Sequence, residues 1–226
     1  MRKLVAYGSA AIFFALAGCG GGSSNSTPTN PTPTPTPTQT NRAPVISSVT
    51  VTPSFGIADL QTFNFAAVAS DPDGDSVSYS WDLAGNARSG ANPSIIFASP
   101  GGVGSGTISV NDGKGGSASS SVTFTVGSMS GAWLITVGPL AGASFQLTQT
   151  PSGFVTGSFN LPGIGSGQTD PAQPGQIRSD GNVTMRVKIA PFTDFNMIGA
   201  MDTTGRRVTG SLQGSGFTGQ PFVLAK

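Results

Sequence analysis

The sequence predicts an all-β chain: an antiparallel β-sandwich followed by an antiparallel meander that closes into a small eight-stranded β-barrel. Three observations carry this. Short segments alternate apolar and polar residues with a period of two. Glycine, proline, asparagine and aspartate punctuate them at short intervals. No long helical period appears anywhere in the chain. A single cysteine leaves no disulfide within the chain, so each module must bury a core unaided. Two domains of about 80–100 residues are large enough for that.

The first domain is placed at 43–126. "PVISSVTVTPS" opens it. "TFNFAAVAS" puts Phe63, Phe65, Ala67 and Ala69 on one face. "VSYSWDL" alternates Val77, Tyr79 and Trp81 with Ser78, Ser80 and Asp82. "PSIIFASPG" and "GTISVNDGKGG" follow, and "SASSSVTFTV" closes with Val122, Phe124 and Val126 in phase. About seven short strands in such a length suggest a sandwich. In "APVISSVTVTPS", "ASDPDGDSVSYSWDL", "FASPG" and "TISVNDGKGGSASSSVTFTV" the region resembles the PKD and related Ig-like or cadherin-like modules of bacterial surface proteins. The resemblance implies an Ig-like sandwich with Trp81 in its core. One departure is visible: PKD modules usually run Trp-Asp-Phe-Gly-Asp-Gly, whereas Trp81-Asp82 continue here as Leu83-Ala84-Gly85-Asn86.

"SDPDGDS" places Asp71, Asp73 and Asp75 at alternate positions. Three carboxylates this close repel one another unless they point apart or share a cation. Ca²⁺ takes six to eight oxygens and tolerates irregular loops. Asp112, in the turn before the last hairpin, supplies a fourth carboxylate if that turn lies at the same end of the sandwich. Cadherin-like modules carrying this motif are linked to calcium, so the resemblance implies calcium as a cofactor. Pro72 restricts the loop, and no glutamate exists to clamp the ion with both oxygens. Two readings stand side by side: a calcium site of Asp71, Asp73, Asp75 and Asp112, or a turn whose aspartates bond nearby backbone amides.

"GSMSG" at 127–131 reads as a short joint, and the second domain as 129–226. Its strand candidates are 133–137, 143–149, 154–160, 175–178, 183–189, 194–201, 206–213 and 221–225. "TPSG", "SDGN" and "DTTGR" supply tight turns between successive strands. Val183, Met185, Val187 and Ile189 form one apolar face, and Phe195, Met197, Gly199 and Met201 another. Closure into a barrel removes the exposed edges of an open sheet. Gly131-Ala132-Trp133, "VTGSF" at 155–159 and "VTGSL" at 208–212 resemble the G-x-W opening and V-T-G strands of lipocalin- and avidin-type barrels. Trp133 is the only tryptophan in this half, so biotin binding is not carried over. An interior filled by its own side chains is expected, and "LPGIGSGQTDPAQPG" is left as a mouth loop or insertion.

The start of the chain has a different character. Arg2 and Lys3 precede a mostly apolar run from Leu4 to Ala17, the layout of a secretory signal. The run is too short for a permanent span, which needs about 18–20 residues. Leu16-Ala17-Gly18-Cys19 resembles the lipobox of bacterial lipoproteins. That resemblance implies cleavage after Gly18, a signal peptide of 1–18 and an acylated (diacylglycerol, palmitate-type) Cys19 that holds the chain to a lipid bilayer. Gly20 in place of an aspartate points to the cell outer membrane if the source is Gram-negative. Residues 20–42 contain no apolar residue to build a core, and the Thr-Pro repeats suit a disordered, extended stalk.

Composition narrows the function. Only 9% of residues are charged, there is no histidine, and all ten acidic residues are aspartate. After loss of Arg2 and Lys3, nine Lys/Arg face ten Asp, so no basic stripe is available for nucleic acid. Arg206-Arg207 reads as a solvated turn or strand edge. Without histidine or a free thiol there is no Ser-His or Cys-His pair and no ordinary zinc site. The chain therefore reads as a surface lipoprotein, not an enzyme. Its Ig-like spacer presents the barrel for binding or adhesion to a polysaccharide or a surface protein. The alternatives are a small-ligand carrier with its pocket in the barrel and a glycosidase working through paired aspartates.

Overall fold

The computed structural model describes residues 39–189 and 194–226. The signal, Cys19 and nearly all of the stalk fall outside the described residues. The described chain is all strand and turn, as expected.

Eight strands build the sandwich: β1 (Val45–Thr52), β2 (Phe55–Ile57), β3 (Thr62–Ser70), β4 (Ser78–Leu83), β5 (Asn86–Ser89), β6 (Ser94–Ile96), β7 (Gly102–Asn111) and β8 (Ser117–Gly127). One sheet has the order β1-β3-β6 and the other β2-β8-β7-β4-β5. Every pairing is antiparallel except β2 with β8, which is parallel. The period-two pattern does what it predicts. Phe63, Phe65 and Ala67 point inward, with Trp81 from β4 and Phe124 from β8. Phe97 stacks on Phe124 with ring centroids 4.7 Å apart, and Phe65 meets Trp81 at 5.8 Å. The Trp81 indole nitrogen donates to Gly90 O at 2.9 Å, so its burial leaves no polar atom unpaired.

Nine strands follow: β9 (Gly131–Val137), β10 (Ser144–Gln149), β11 (Phe154–Leu161), β12 (Gly165–Gln168), β13 (Gly175–Ile177), β14 (Asn182–Val187), β15 (Phe195–Met201), β16 (Arg207–Gly214) and β17 (Phe217–Ala225). The run β10-β9-β17-β16-β15-β14-β13-β11 closes through β10–β11 into an eight-stranded antiparallel barrel. The predicted turns form: Gly153, Gly181 and Gly205 each take a positive φ and donate to Thr150 O, Arg178 O and Asp202 O. β12 lies within the segment left as a loop. It pairs with the far half of β11, while the near end, Phe154 and Val155, pairs with the short β13. Thr169 then bridges to Val187, which bridges the gap between β11 and β14.

Side chains fill the barrel interior up to a small cavity at its open end. Trp133, Phe145, Phe159, Met185, Met197 and Phe222 are all buried in one cluster. The same cluster contains Ile57 of the sandwich, with Phe55 and Leu60 packed against it. The joint is therefore not a solvated hinge. Ser128 and Met129 are 1% and 0% exposed, and Thr40–Lys226 forms one compact unit.

Candidate functional site

Functional groups gather at the acidic corner of the sandwich and at its seam with the barrel, and an apolar cavity lies at the open end of the barrel. β8 carries eleven residues from the acidic corner to the seam. At about 3.3 Å per residue that separates them by about 33 Å. Asn41 and Arg42 thus meet the sandwich at the end remote from the barrel.

At the corner, Asp71 Oδ1 accepts from the backbone N–H of Asp73 at 2.8 Å, and Gly74 N donates to Asp71 O at 3.1 Å. This is the Asp-Pro-Asp-Gly turn expected from the motif. Its remaining charge meets protein cations. The Arg42 backbone N–H and Nε donate to Asp73 at 2.7 and 2.8 Å, and Arg42 Nη2 also donates to Pro72 O. Lys114 Nζ donates to Asp75 Oδ1 at 2.6 Å. Asp112 does lie at this end: Asn41 Nδ2 donates to its Oδ2 at 2.7 Å, and Lys114 N and Gly116 N donate to its Oδ1 at 2.7 and 2.9 Å. The Asn41 bond, then the Lys114 amide, holds the Asp112 carboxyl below its ordinary range, against a smaller opposing effect of desolvation. Its bond and charge attraction to Asp75 raise the Lys114 ammonium.

Calcium fits this corner poorly as it is folded. Among the described residues, no three acidic side chains are arranged to hold a metal. Asp71 Oδ2 and Asp75 Oδ2 are buried without a hydrogen-bond partner. Two such oxygens fall short of the six to eight that Ca²⁺ takes. The sequence reading located the aspartates but missed their partners. Arg42 ends the Thr/Pro-rich segment and Lys114 lies in "NDGKGG", and nothing local links either to the aspartates.

At the seam, Gln149 is 5% exposed and bonds both modules. Its Nε2 donates to Ala58 O at 2.9 Å, and its Oε1 accepts from Met129 N at 2.9 Å. Ser99 Oγ lies 2.8 Å from Ser128 Oγ and 2.7 Å from Ser130 Oγ. Gly205 backs onto Gly127 so closely that a Cβ on it would meet Gly127 Cα at 2.9 Å. Beside this contact, Arg206 and Lys226 line a cleft between the modules; Arg206 is an exposed turn residue and Arg207 opens β16, as the sequence reading of a solvated turn or strand edge has it. At the open end of the barrel, Leu161, Ile164, Ile189, Phe195 and Phe217 line an apolar cavity of about 160 Å³.

Residues 41–126 match the PKD domain. Among solved structures, the PKD1 domain of Vibrio anguillarum Epp is similar at 27% identity, covering 38% of this chain and 96% of that one, with a TM-score of 0.32. A carbohydrate-binding module of the β-sandwich superfamily is similar at 15% identity, covering 76% of this chain and 61% of that one, with a TM-score of 0.37. No curated protein matches the chain. The family match ends where β8 ends, so the barrel lies outside the PKD-matched residues.

Proposed function

We propose that the chain is an exported, lipid-anchored surface protein whose folded part is a non-catalytic binding or adhesion module. The observation that carries this reading is the filled barrel. Trp133, Phe145, Phe159 and Met185 occupy its interior, and Ile57 closes the end that faces the PKD-like sandwich. A barrel packed in this way has its outer surface and loops to offer, and the sandwich under it acts as a pedestal. The absence of histidine and glutamate from the sequence favours binding over catalysis. The lipobox residues Leu16 to Cys19 support anchoring through an acylated Cys19, in the outer membrane of a Gram-negative source. A polysaccharide or a surface protein is the proposed partner.

The second reading, a small-ligand carrier, rests on the apolar cavity beside Ile164 and Phe217. At about 160 Å³ it admits one small apolar group, well below the 300–1,000 Å³ typical of ligand pockets.

The test is adhesion of cells expressing the full chain to immobilised polysaccharides and to cell-surface extracts, with Cys19→Ala beside the wild type. Adhesion by wild type is expected, with Cys19→Ala remaining an uncleaved precursor without acyl label. Normal acylation and retention of Cys19→Ala would remove the anchor. Equal adhesion by cells lacking the protein would remove the binding role.

A further inference from the structure

The cleft between sandwich and barrel has a volume of about 220 Å³. Gly101, Gly102 and Val103 form its sandwich wall, and Thr204, Arg206 and Lys226 its barrel wall. Two cations therefore share one concave site. Of the ion pairs among the described residues, none includes either. Lys226 is held in place: its Nζ donates to Ser128 O at 2.9 Å and sits 4.8 Å from the Trp133 ring centre. An ammonium has three N–H donors, so two remain after the Ser128 bond. Burial, and then the charge of Arg206, pull this ammonium below the ordinary lysine range.

The opposite wall suits a close approach. Gly101 and Gly102 both take positive φ, and a Cβ on Gly102 would meet nothing within 4 Å. Bare backbone faces the cleft there. Beside it, Val103 is 76% exposed and offers an apolar face to the uncharged body of a ligand.

We propose that this interdomain cleft binds an oxyanion-bearing group, a carboxylate or a sulfate or phosphate ester, between the Arg206 guanidinium and the Lys226 ammonium. The planar guanidinium fork takes two oxygens at once, and the ammonium adds a point charge. Such a group reaches the site from an acidic polysaccharide or as a free small anion. Because both modules line the cleft, its occupant also ties them together. The polysaccharide arm deepens the surface-binding role proposed above and rests on it; the small-anion arm does not.

The experiment is a calorimetric and NMR titration of the full chain with sodium galacturonate, sulfate and phosphate at constant ionic strength, then with polygalacturonate. Saturable binding is expected, with chemical-shift changes at Gly101, Gly102 and Arg206. Arg206→Gln and Lys226→Met should each weaken binding about tenfold or more, one lost charge-assisted contact. Arg206 is exposed, so Arg206→Gln should keep the unfolding midpoint of the free protein. If Lys226→Met disturbs packing on Trp133, Arg206→Gln alone decides. Tighter binding of the polymer than of its monomer identifies the polysaccharide as the source; binding of small anions alone identifies the free ion. No saturable binding, or equal binding by wild type and Arg206→Gln, overturns the proposal. A chain that adheres to surfaces yet ignores every anion loses this site and keeps the function proposed above.

Discussion

The side-chain nitrogen of Gln149 donates to the backbone oxygen of Ala58 at 2.9 Å, across 91 positions of sequence. The same amide accepts from Met129 N. One buried side chain therefore satisfies backbone groups of the barrel's first segment and of the sandwich. Gln149→Leu keeps the volume and removes both of these bonds, with the longer one that Oε1 accepts from Ser128 Oγ at 3.3 Å. A buried donor or acceptor left unpaired costs about 1–3 kcal/mol. Gln149→Leu should lower the stability of the full chain by about 2–6 kcal/mol, both backbone groups counted. Urea unfolding followed by tryptophan fluorescence checks this, since Trp81 reports the sandwich and Trp133 the barrel. An unchanged midpoint would mean that the seam holds without this amide.

The boundary at residue 129 remains a proposal, and the seam sharpens it. Ile57 belongs to the sandwich by sequence, yet it is fully buried in the barrel cluster. The fragment 129–226 should unfold cooperatively, because its strand pairs follow one another in sequence. It should also be less stable than the barrel in the full chain, because it lacks the Ile57 plug. Ile57→Ala in the full chain should cost about 2–5 kcal/mol through the cavity it leaves. Thermal unfolding of the fragment and of Ile57→Ala measures both. A fragment without cooperative unfolding would show that the modules fold as one.

Much of this fold was legible because its signals are local. Val183, Met185 and Val187 alternate inward as written, and "TPSG", "SDGN" and "DTTGR" become the turns that their residues specify. What escaped depends on distant contacts. β12 reads Gly165-Ser166-Gly167-Gln168, with no apolar alternation to mark a strand. It is recognisable only by its place: a Cβ on Gly167 would lie 2.8 Å from the Phe159 ring. Met129 reads as part of a short joint because Gly and Ser surround it, and only the barrel explains its burial. At the corner, the aspartates were legible as a turn. Their pairing with Arg42 spans 31 residues, which no local pattern encodes.

Asp112 gives the corner an acid limit. Its folded pKa lies below the ordinary value of 3.8, mainly through the Asn41 bond. A depressed carboxyl contributes stability that is present above the unfolded value and lost as pH falls through the folded one. Lys114 is raised above 10.5, so its contribution is full below that value and fades as pH rises through the folded one. The corner is therefore intact at neutral pH and loosens at both extremes. Asn41→Ala should move the Asp112 titration upward toward 3.8 while leaving that of Lys114 in place. Carboxyl-carbon NMR against pH reads this directly. A titration unmoved by Asn41→Ala would assign the depression to the backbone amides of Lys114 and Gly116.

Calcium at Asp71, Asp73, Asp75 and Asp112 is best posed as a competition with Lys114. The ammonium holds Asp75 Oδ1 at 2.6 Å, and Asp71 Oδ2 and Asp75 Oδ2 remain buried without hydrogen-bond partners. A divalent ion would need those oxygens, the Asp75 oxygen that Lys114 now holds, and several waters to reach six ligands. Wild type should therefore respond weakly to millimolar Ca²⁺. Lys114→Gln removes the competing charge and leaves the carboxylates repelling one another, so calcium should raise its unfolding midpoint more than that of wild type. Binding to the folded state alone makes that rise depend on concentration. Asp73→Ala with Asp75→Ala should abolish it in both backgrounds. Thermal unfolding of the full chain across a CaCl₂ series, with MgCl₂ as the ionic-strength control, makes the comparison. A larger response in wild type than in Lys114→Gln would show that Lys114 does not compete. A response that survives the double aspartate substitution would place the ion elsewhere and leave "SDPDGDS" as a turn closed by the protein's own cations.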